Sequence, residues 1–396
     1  MTIHETVLEV VPRPRHAVAV GRLLEQFVVV GIVGARQVGK TTLARMVASN
    51  APSMPAAFFD LEDPRDRARL TDPMLALEPL RGLVVLDEVQ RLPDVFPVLR
   101  VLADRPGAPA RFLVLGSAGP DLLRQGSESL AGRIAYHQLP GLHLDEVGSS
   151  SADELWLRGG FPRSFLAESE ERSALWRREF VRTFTERDLP QLGIGVPSET
   201  MRRFWTMLAH THGQTLNASA YGRSFGVSDA TVRRYLDALG SALVIRQLRP
   251  WHENLRKRQV KAPKVYISDT GVLHTLLGLD RPADLQGHPQ VGASWEWFAI
   301  SNVVERLGAL WGEDAYFWRT HAGAEVDLLV MRGNRRMGFE VKRTSAPSVT
   351  PSMRVAMADL RLERIDVLHA GKETFPLAER IRAVAAHRIW TDVEPL

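Results

Sequence analysis

Gly34-Ala35-Arg36-Gln37-Val38-Gly39-Lys40-Thr41 is the stretch that decides the fold. It satisfies G-x-x-x-x-G-K-[ST], follows the apolar run Val28–Val33 and opens a helix-like segment at Lys40. In that setting the two glycines let the backbone curl until its N–H groups converge on phosphate oxygens, and the helix N-terminus adds partial positive charge. Gly34, Ala35, Arg36, Gln37, Val38, Gly39 and Thr42 are therefore expected to wrap the phosphates of ATP. Lys40 should reach the β- and γ-phosphates, and the Thr41 hydroxyl should ligate Mg²⁺.

Further along the chain, apolar runs rich in Val, Leu and Phe recur at Phe27–Gly34, Ala57–Asp60, Gly82–Asp87 and Arg111–Gly116, alternating with helical patterns such as Lys40–Ser49 and Val95–Ala103. Near-continuous apolar strands separated by helices predict an α/β fold, a parallel sheet covered on both faces. Leu83-Val84-Val85-Leu86 then delivers Asp87 and Glu88 to the strand end where such sheets bind ligands. Asp87 is expected to hold the magnesium and Glu88 to polarise the attacking water. Ser117, closing the Arg111–Gly116 run, reads equally as a group touching the γ-phosphate or as an ordinary turn residue. Arg133 has two readings as well: a cation offered in trans to a neighbour's site, or a surface ion pair.

The ordered set of segments resembles the bacterial and archaeal AAA-type ATPases that carry a DUF4143-type C-terminal region. The resemblance rests on Gly34–Thr42, Leu86-Asp87-Glu88-Val89-Gln90-Arg91-Leu92-Pro93, Leu130-Ala131-Gly132-Arg133, Leu157-Arg158-Gly159-Gly160-Phe161-Pro162, Glu186-Arg187-Asp188-Leu189 and Ser268-Asp269-Thr270-Gly271. Ala35 departs from the proline usual in that family, which bears on loop stiffness. The resemblance implies a P-loop AAA+-type sheet, favours Arg133 as a finger or sensor, and implies a ring-like homo-oligomer, with a hexamer among the forms open.

Composition sets the outer limits. The chain has 396 residues, 45% hydrophobic and 24% charged, with Lys+Arg 50 against Asp+Glu 46. That length supports two or three domains. With no cysteine there is no disulfide framework, thiolate zinc site or cysteine nucleophile, as suits a reducing compartment. Met1–Val11 lacks the order of a signal peptide, and Phe27–Val33 is far short of the roughly 20 apolar residues that span a membrane. A soluble cytoplasmic protein with no membrane partner is expected. The expected domains are an ATPase core over 1–145, a helical lid or linker over 146–212, a winged-helix-like region over 213–280 and a nuclease-like domain over 281–396.

Leu216–Leu239 reads as helix-turn-helix: Asn217–Phe225, a turn at Gly226-Val227-Ser228, then Asp229–Leu239 with Ser228 as N-cap. Val232, Tyr235, Leu236 and Leu239 share one face, and Arg233 and Arg234 point the other way. Leu243–Leu248 and Lys264–Ser268 follow as the two strands of a wing. From Arg246 to Lys264 there are seven basic residues, Arg256, Lys257, Arg258 and Lys261 among them, against one acid, Glu253. Such a local surplus favours phosphate backbones through counterion release, so DNA is the expected partner, with RNA and a protein surface left open.

Near the C-terminus, Glu325-Val326-Asp327 and Glu340-Val341-Lys342 alternate charged and apolar residues around a two-residue turn, Gly333-Asn334. That turn makes Arg332 face Arg335 and, counting back, sets Asp327 opposite Glu340, close enough to share a hard divalent cation. Lys342 would assist a metal-bound water. The pattern resembles the PD-(D/E)xK nucleases, which adds Glu296, in the helix around Trp295–Arg306, as a fourth member. Two readings stand: a metal-dependent nuclease, or a nuclease-like fold without activity. His210 and His212 read as exposed helix-end histidines, and Asp269-Thr270-Gly271 as a capped helix start.

Overall fold

The computed structural model describes residues 10–52, 54–107, 109–117, 130–191, 195–252 and 262–396. These fall into two compact units, residues 1–141 with 241–243, and residues 142–240 with 244–396.

The first unit is an α/β sandwich around five parallel strands: β1 (Val29–Gly34), β2 (Ala56–Asp60), β3 (Gly82–Asp87), β4 (Ala110–Ser117) and β5 (Ile134–Gln138). Their order in the sheet is β2-β3-β4-β1-β5. The central strands are Val- and Leu-rich because both faces are covered: Val29, Val84, Leu86, Phe112 and Val114 are all buried in one cluster. Each contributes about 1.5–3 kcal/mol by leaving water. The helix Lys40–Ser49 turns Leu43, Ala44 and Val47 onto the sheet. β1 lies between β4 and β5, and Gly34 pairs with Ser117, so the loop after β1 and the end of β4 share the carboxyl edge of the sheet.

The second unit opens with helices. Ala152–Arg158 and Pro162–Phe165 are two separate short helices. Gly159, at φ of 78°, ends the first and Pro162 opens the second, while the Asp269 carboxylate accepts the Gly160 N–H at 2.7 Å. Glu170–Thr183 runs into a π-helical turn at Phe184–Asp188. The helix-turn-helix is present as Ala218–Phe225 and Asp229–Ser241, with Asn217 and Ser228 accepting N–H groups in the N-cap manner. Asp269 likewise caps Thr270–Leu276 through the Val272 N–H.

A mixed eight-stranded sheet completes this unit, built from β6 (Ile245–Pro250), β7 (Lys264–Ile267), β8 (Ala315–Arg319), β9 (Glu325–Arg332), β10 (Arg335–Lys342), β11 (Arg364–His369), β12 (Phe375–Ala378) and β13 (Ile381–Ala385). The order is β12-β13-β11-β10-β9-β8-β6-β7. The expected wing is there as an antiparallel β6–β7 pair, and β6 also pairs with β8, so the wing forms the edge of this larger sheet. The hairpin register is the one counted from the turn: Arg332 opposes Arg335 and Leu328 opposes Phe339. The helix Val291–Leu307 buries Trp295, Trp297 and Phe298.

Candidate functional site

At the carboxyl edge of the first sheet the loop keeps its shape for reasons local to the chain. Gly39 has φ of 102°, a left-handed conformation that disfavours a side chain. Gly34 leaves no room for one, since a Cβ there would lie 2.6 Å from the Leu139 carbonyl oxygen. Lys40 is buried, and its Nζ donates to Gly34 O at 3.2 Å and Ala35 O at 3.0 Å. Burial pushes this ammonium below its ordinary range, although Glu88 and Asp87 oppose the shift. Thr41 Oγ1 donates to Asp87 Oδ2 at 2.6 Å. Asp87 is raised by burial despite that hydrogen bond. Glu88 follows with φ of 52°, a strained backbone of the kind that functional sites retain, and its carboxylate accepts from Gln90 Nε2. Hydroxyl, carboxylate and lysine thus converge at one loop, a donor set that fits Mg²⁺ held together with a triphosphate.

Arg13 belongs to this site, and nothing in its local sequence marks it. Its buried guanidinium donates to Val38 O at 3.4 Å, Pro140 O at 3.0 Å and Gly141 O at 3.0 Å, tying the loop to the chain beyond β5. These partners lie 25, 127 and 128 residues away, so no short pattern reveals them. Ser117 sits beside Gly34 at the same edge. Arg133 does not: it precedes Ile134, which pairs with Val29 at the opposite end of β1, about 17 Å of strand from the loop. There it forms a two-pronged ion pair with Asp104 at 2.6 and 3.0 Å, the surface contact of its second reading.

In the basic region the described residues differ in exposure, and Arg249 lies open to solvent on β6. Arg233 and Arg234 are exposed on their helix, and Val232, Tyr235, Leu236 and Leu239 are buried behind them. Arg256, Lys257, Arg258 and Lys261 lie outside the described residues. Of the others, the Arg246 guanidinium packs over the Trp311 ring at 5.9 Å and is lowered by burial to about 10. Lys264 is only 5% exposed.

Lys264 is instead the centre of the C-terminal carboxylates. Its Nζ lies 2.8 Å from Glu325 Oε1, 3.2 Å from Glu296 Oε1 and 3.5 Å from Asp327 Oδ1. Tyr266, two residues along β7, donates to the same Glu296 oxygen at 2.6 Å. Burial would lower the Lys264 ammonium, but Tyr266 and the three carboxylates hold it well above its usual range. Asp327 Oδ2 accepts the Val341 N–H at 2.9 Å, and Lys342 pairs with Glu340 Oε1 at 2.7 Å. Glu296 and Glu340 are both pushed up to about 7, by burial and by Asp327. Among the described residues no group of three or more His, Asp or Glu side chains is arranged to hold a metal ion. The sequence pattern does bring Glu296, Asp327, Glu340 and Lys342 to one region, as expected, yet an ammonium joins them there. The strand Lys264-Val265-Tyr266-Ile267 carried the signal, a lysine and a tyrosine alternating with apolar residues. Read as part of a basic surplus, it pointed outward. His212 is a further correction: it is fully buried, its Nδ1 accepts the Ile267 N–H at 3.0 Å, and burial lowers it to about 3.

These features define the first unit as a P-loop nucleotide-binding domain of the AAA type, and residues 26–148 match the AAA domain family AAA_14. Residues 149–283 and 291–389 match two domains of unknown function, DUF8612 and DUF4143. The chain is 54% identical over 371 residues to "Uncharacterized protein Rv2008c" of Mycobacterium tuberculosis, covering 93% of this chain and 82% of that protein; a Mycobacterium bovis protein, Mb2031c, matches to the same extent. The chain belongs to this family, in which an AAA domain precedes a DUF4143 C-terminal domain. Among solved structures, the Walker-type ATPase PABY2304 of Pyrococcus abyssi aligns with a TM-score of 0.47 at 16% identity, over 68% of this chain and 96% of that one. The Thermotoga maritima RuvB Holliday junction branch migration motor aligns with a TM-score of 0.28 at 17% identity, over 60% of this chain and 90% of that one. No helix among the described residues is long and apolar enough to cross a membrane.

Proposed function

We propose that the protein hydrolyses ATP at the loop Gly34–Thr42 and couples the turnover to DNA held by the helix-turn-helix. The observation that carries the reading is the convergence of Lys40, Thr41, Asp87 and Glu88 at one sheet edge. On ATP binding, Lys40 exchanges the Gly34 and Ala35 carbonyls for phosphate oxygens. Thr41 and Asp87 would hold Mg²⁺, which supplies charge neutralisation across the β- and γ-phosphates. Glu88 orients a water for attack on the γ-phosphorus and takes its proton as the bond to the bridging oxygen breaks. Arg133, too far from its own loop, serves the loop of a neighbouring copy in a ring-like homo-oligomer; it would leave Asp104 to do so. Exposed Arg233 and Arg234 contact the DNA backbone. The expected segment boundaries, at residues 145, 212 and 280, are retained in this reading. Of its two forms, a C-terminal domain that cuts and one that only binds, the ion pairs around Lys264 favour the second.

The test is the ATPase rate with and without double-stranded DNA across salt concentrations. DNA should stimulate the rate, and rising salt should abolish the stimulation. Replacing Arg233 and Arg234 together by Ala should leave the basal rate intact and reduce the salt slope of DNA binding by about 2. A rate indifferent to DNA at low salt overturns the coupling.

A further inference from the structure

The C-terminal carboxylates have the makings of a divalent-metal centre, and the donor set does not fit one. We propose that the Lys264 ammonium is the resident cation of this cluster, taking the place a divalent ion would occupy, and that removing this side chain opens a metal site. The inference rests on the non-cutting form of the reading above.

Four observations support it. The first is position: Nζ stands within 3.5 Å of carboxylate oxygens from the helix Val291–Leu307 and from two points on β9. An ion bound by those oxygens at 2.0–2.6 Å would have to occupy the space of that nitrogen. The second is that three of the cluster's oxygens carry further partners. Glu296 Oε1 also accepts from Tyr266, Asp327 Oδ2 from the Val341 N–H, and Glu340 Oε1 pairs with Lys342. The third is that the lysine is built in. β7 is held on both sides, by β6 through Leu248 and by Thr215 through an isolated bridge at Lys264 itself. Its Nζ lies over the Phe317 ring, 5.6 Å from the ring centre. The fourth is a buried oxygen of the cluster with no hydrogen-bond partner among the described residues, Glu340 Oε2, on a residue 6% exposed. It is the ligand a metal would gain once the ammonium was gone.

The experiment compares the full chain as wild type, Asp327→Asn, Lys264→Ala and the Lys264→Ala/Asp327→Asn double variant. Mn²⁺ is the probe, read by electron paramagnetic resonance and by thermal unfolding without nucleotide. The same P-loop is present in all four, so it cancels. Wild type and Asp327→Asn should take up equal Mn²⁺. Lys264→Ala should gain one ion per chain, bound at least about tenfold more tightly than any Asp327-dependent binding in wild type, with a higher melting temperature on adding Mn²⁺; the double variant should lose both. Folded Lys264→Ala with no added Mn²⁺ site overturns the proposal. So does wild-type Mn²⁺ uptake that Asp327→Asn removes, a comparison that decides even where Lys264→Ala does not fold. Neither result touches the DNA-stimulated ATPase measurement, which stands or falls separately.

Discussion

Two buried lysines, one opening a helix of the first unit and one opening β7 of the second, lie near carboxylates, and they are held in opposite ways. Lys40 donates to two backbone carbonyls, and Asp87 is engaged by the neighbouring Thr41 hydroxyl. Lys264 is ion-paired by three carboxylates at once. Carbonyls are neutral partners that a triphosphate can displace, because the incoming charge is stronger than the dipole it replaces. Carboxylates satisfy an ammonium fully, and no ligand gains by competing. The same residue type at similar burial is therefore available for chemistry in the first unit and committed to structure in the second.

The comparison breaks most visibly in activity. Glu88→Gln should bind ATP as wild type does and hydrolyse it about 10³-fold more slowly, since the proton acceptor is gone and the loop is intact; single-turnover hydrolysis checks this, and rapid turnover removes Glu88 from its role. Next in size is the contrast in stability. Lys264→Met should cost about 3–5 kcal/mol, the penalty for leaving buried carboxylates unpaired, whereas Lys40→Met should leave stability nearly unchanged while weakening ATP binding. Denaturant unfolding and nucleotide titration on both variants separate the two cases; equal stability losses would end the distinction.

The smallest effect is on pH. His212 and His274 are buried and neutral in the second unit, lowered to about 3 and about 4 by burial, against an unfolded value of 6.5. The unfolded chain binds protons first as pH falls, so the stability that depends on these groups is complete above 6.5 and drains away toward 4. Each should contribute about 1.4 kcal/mol per pH unit across that window. Glu296 and Glu340, raised to about 7, pull the other way over much of this range, so the test is a difference between two proteins. His274→Gln should make the rise of stability with pH shallower than in wild type by about 1.4 kcal/mol per pH unit between 4 and 6.5. An unchanged slope would mean that other groups carry it.

Much of this was legible in the chain. Gly82–Asp87, Lys40–Ser49 and Val95–Ala103 coincide with the elements their patterns predict, because apolar periodicity and the loop motif are local signals. The hairpin register followed from turn length alone. Local signals failed where the partner is distant. Lys264, counted in a basic surplus, meets Glu296 and Glu325, and His212, read as an exposed helix end, is buried against β7.

The sequence by itself therefore determined the nucleotide loop, its two carboxylates and the strands that carry them, since each depends on residues a few positions apart. Tertiary structure alone decided which charges meet. It brought Arg13 to the loop from across the first unit, set Arg133 at the far end of β1, and drove Lys264 into the carboxylates that the pattern had reserved for a metal. Charge is counted along a chain, but compensation is settled by distance, and distance exists only once the sheets have closed.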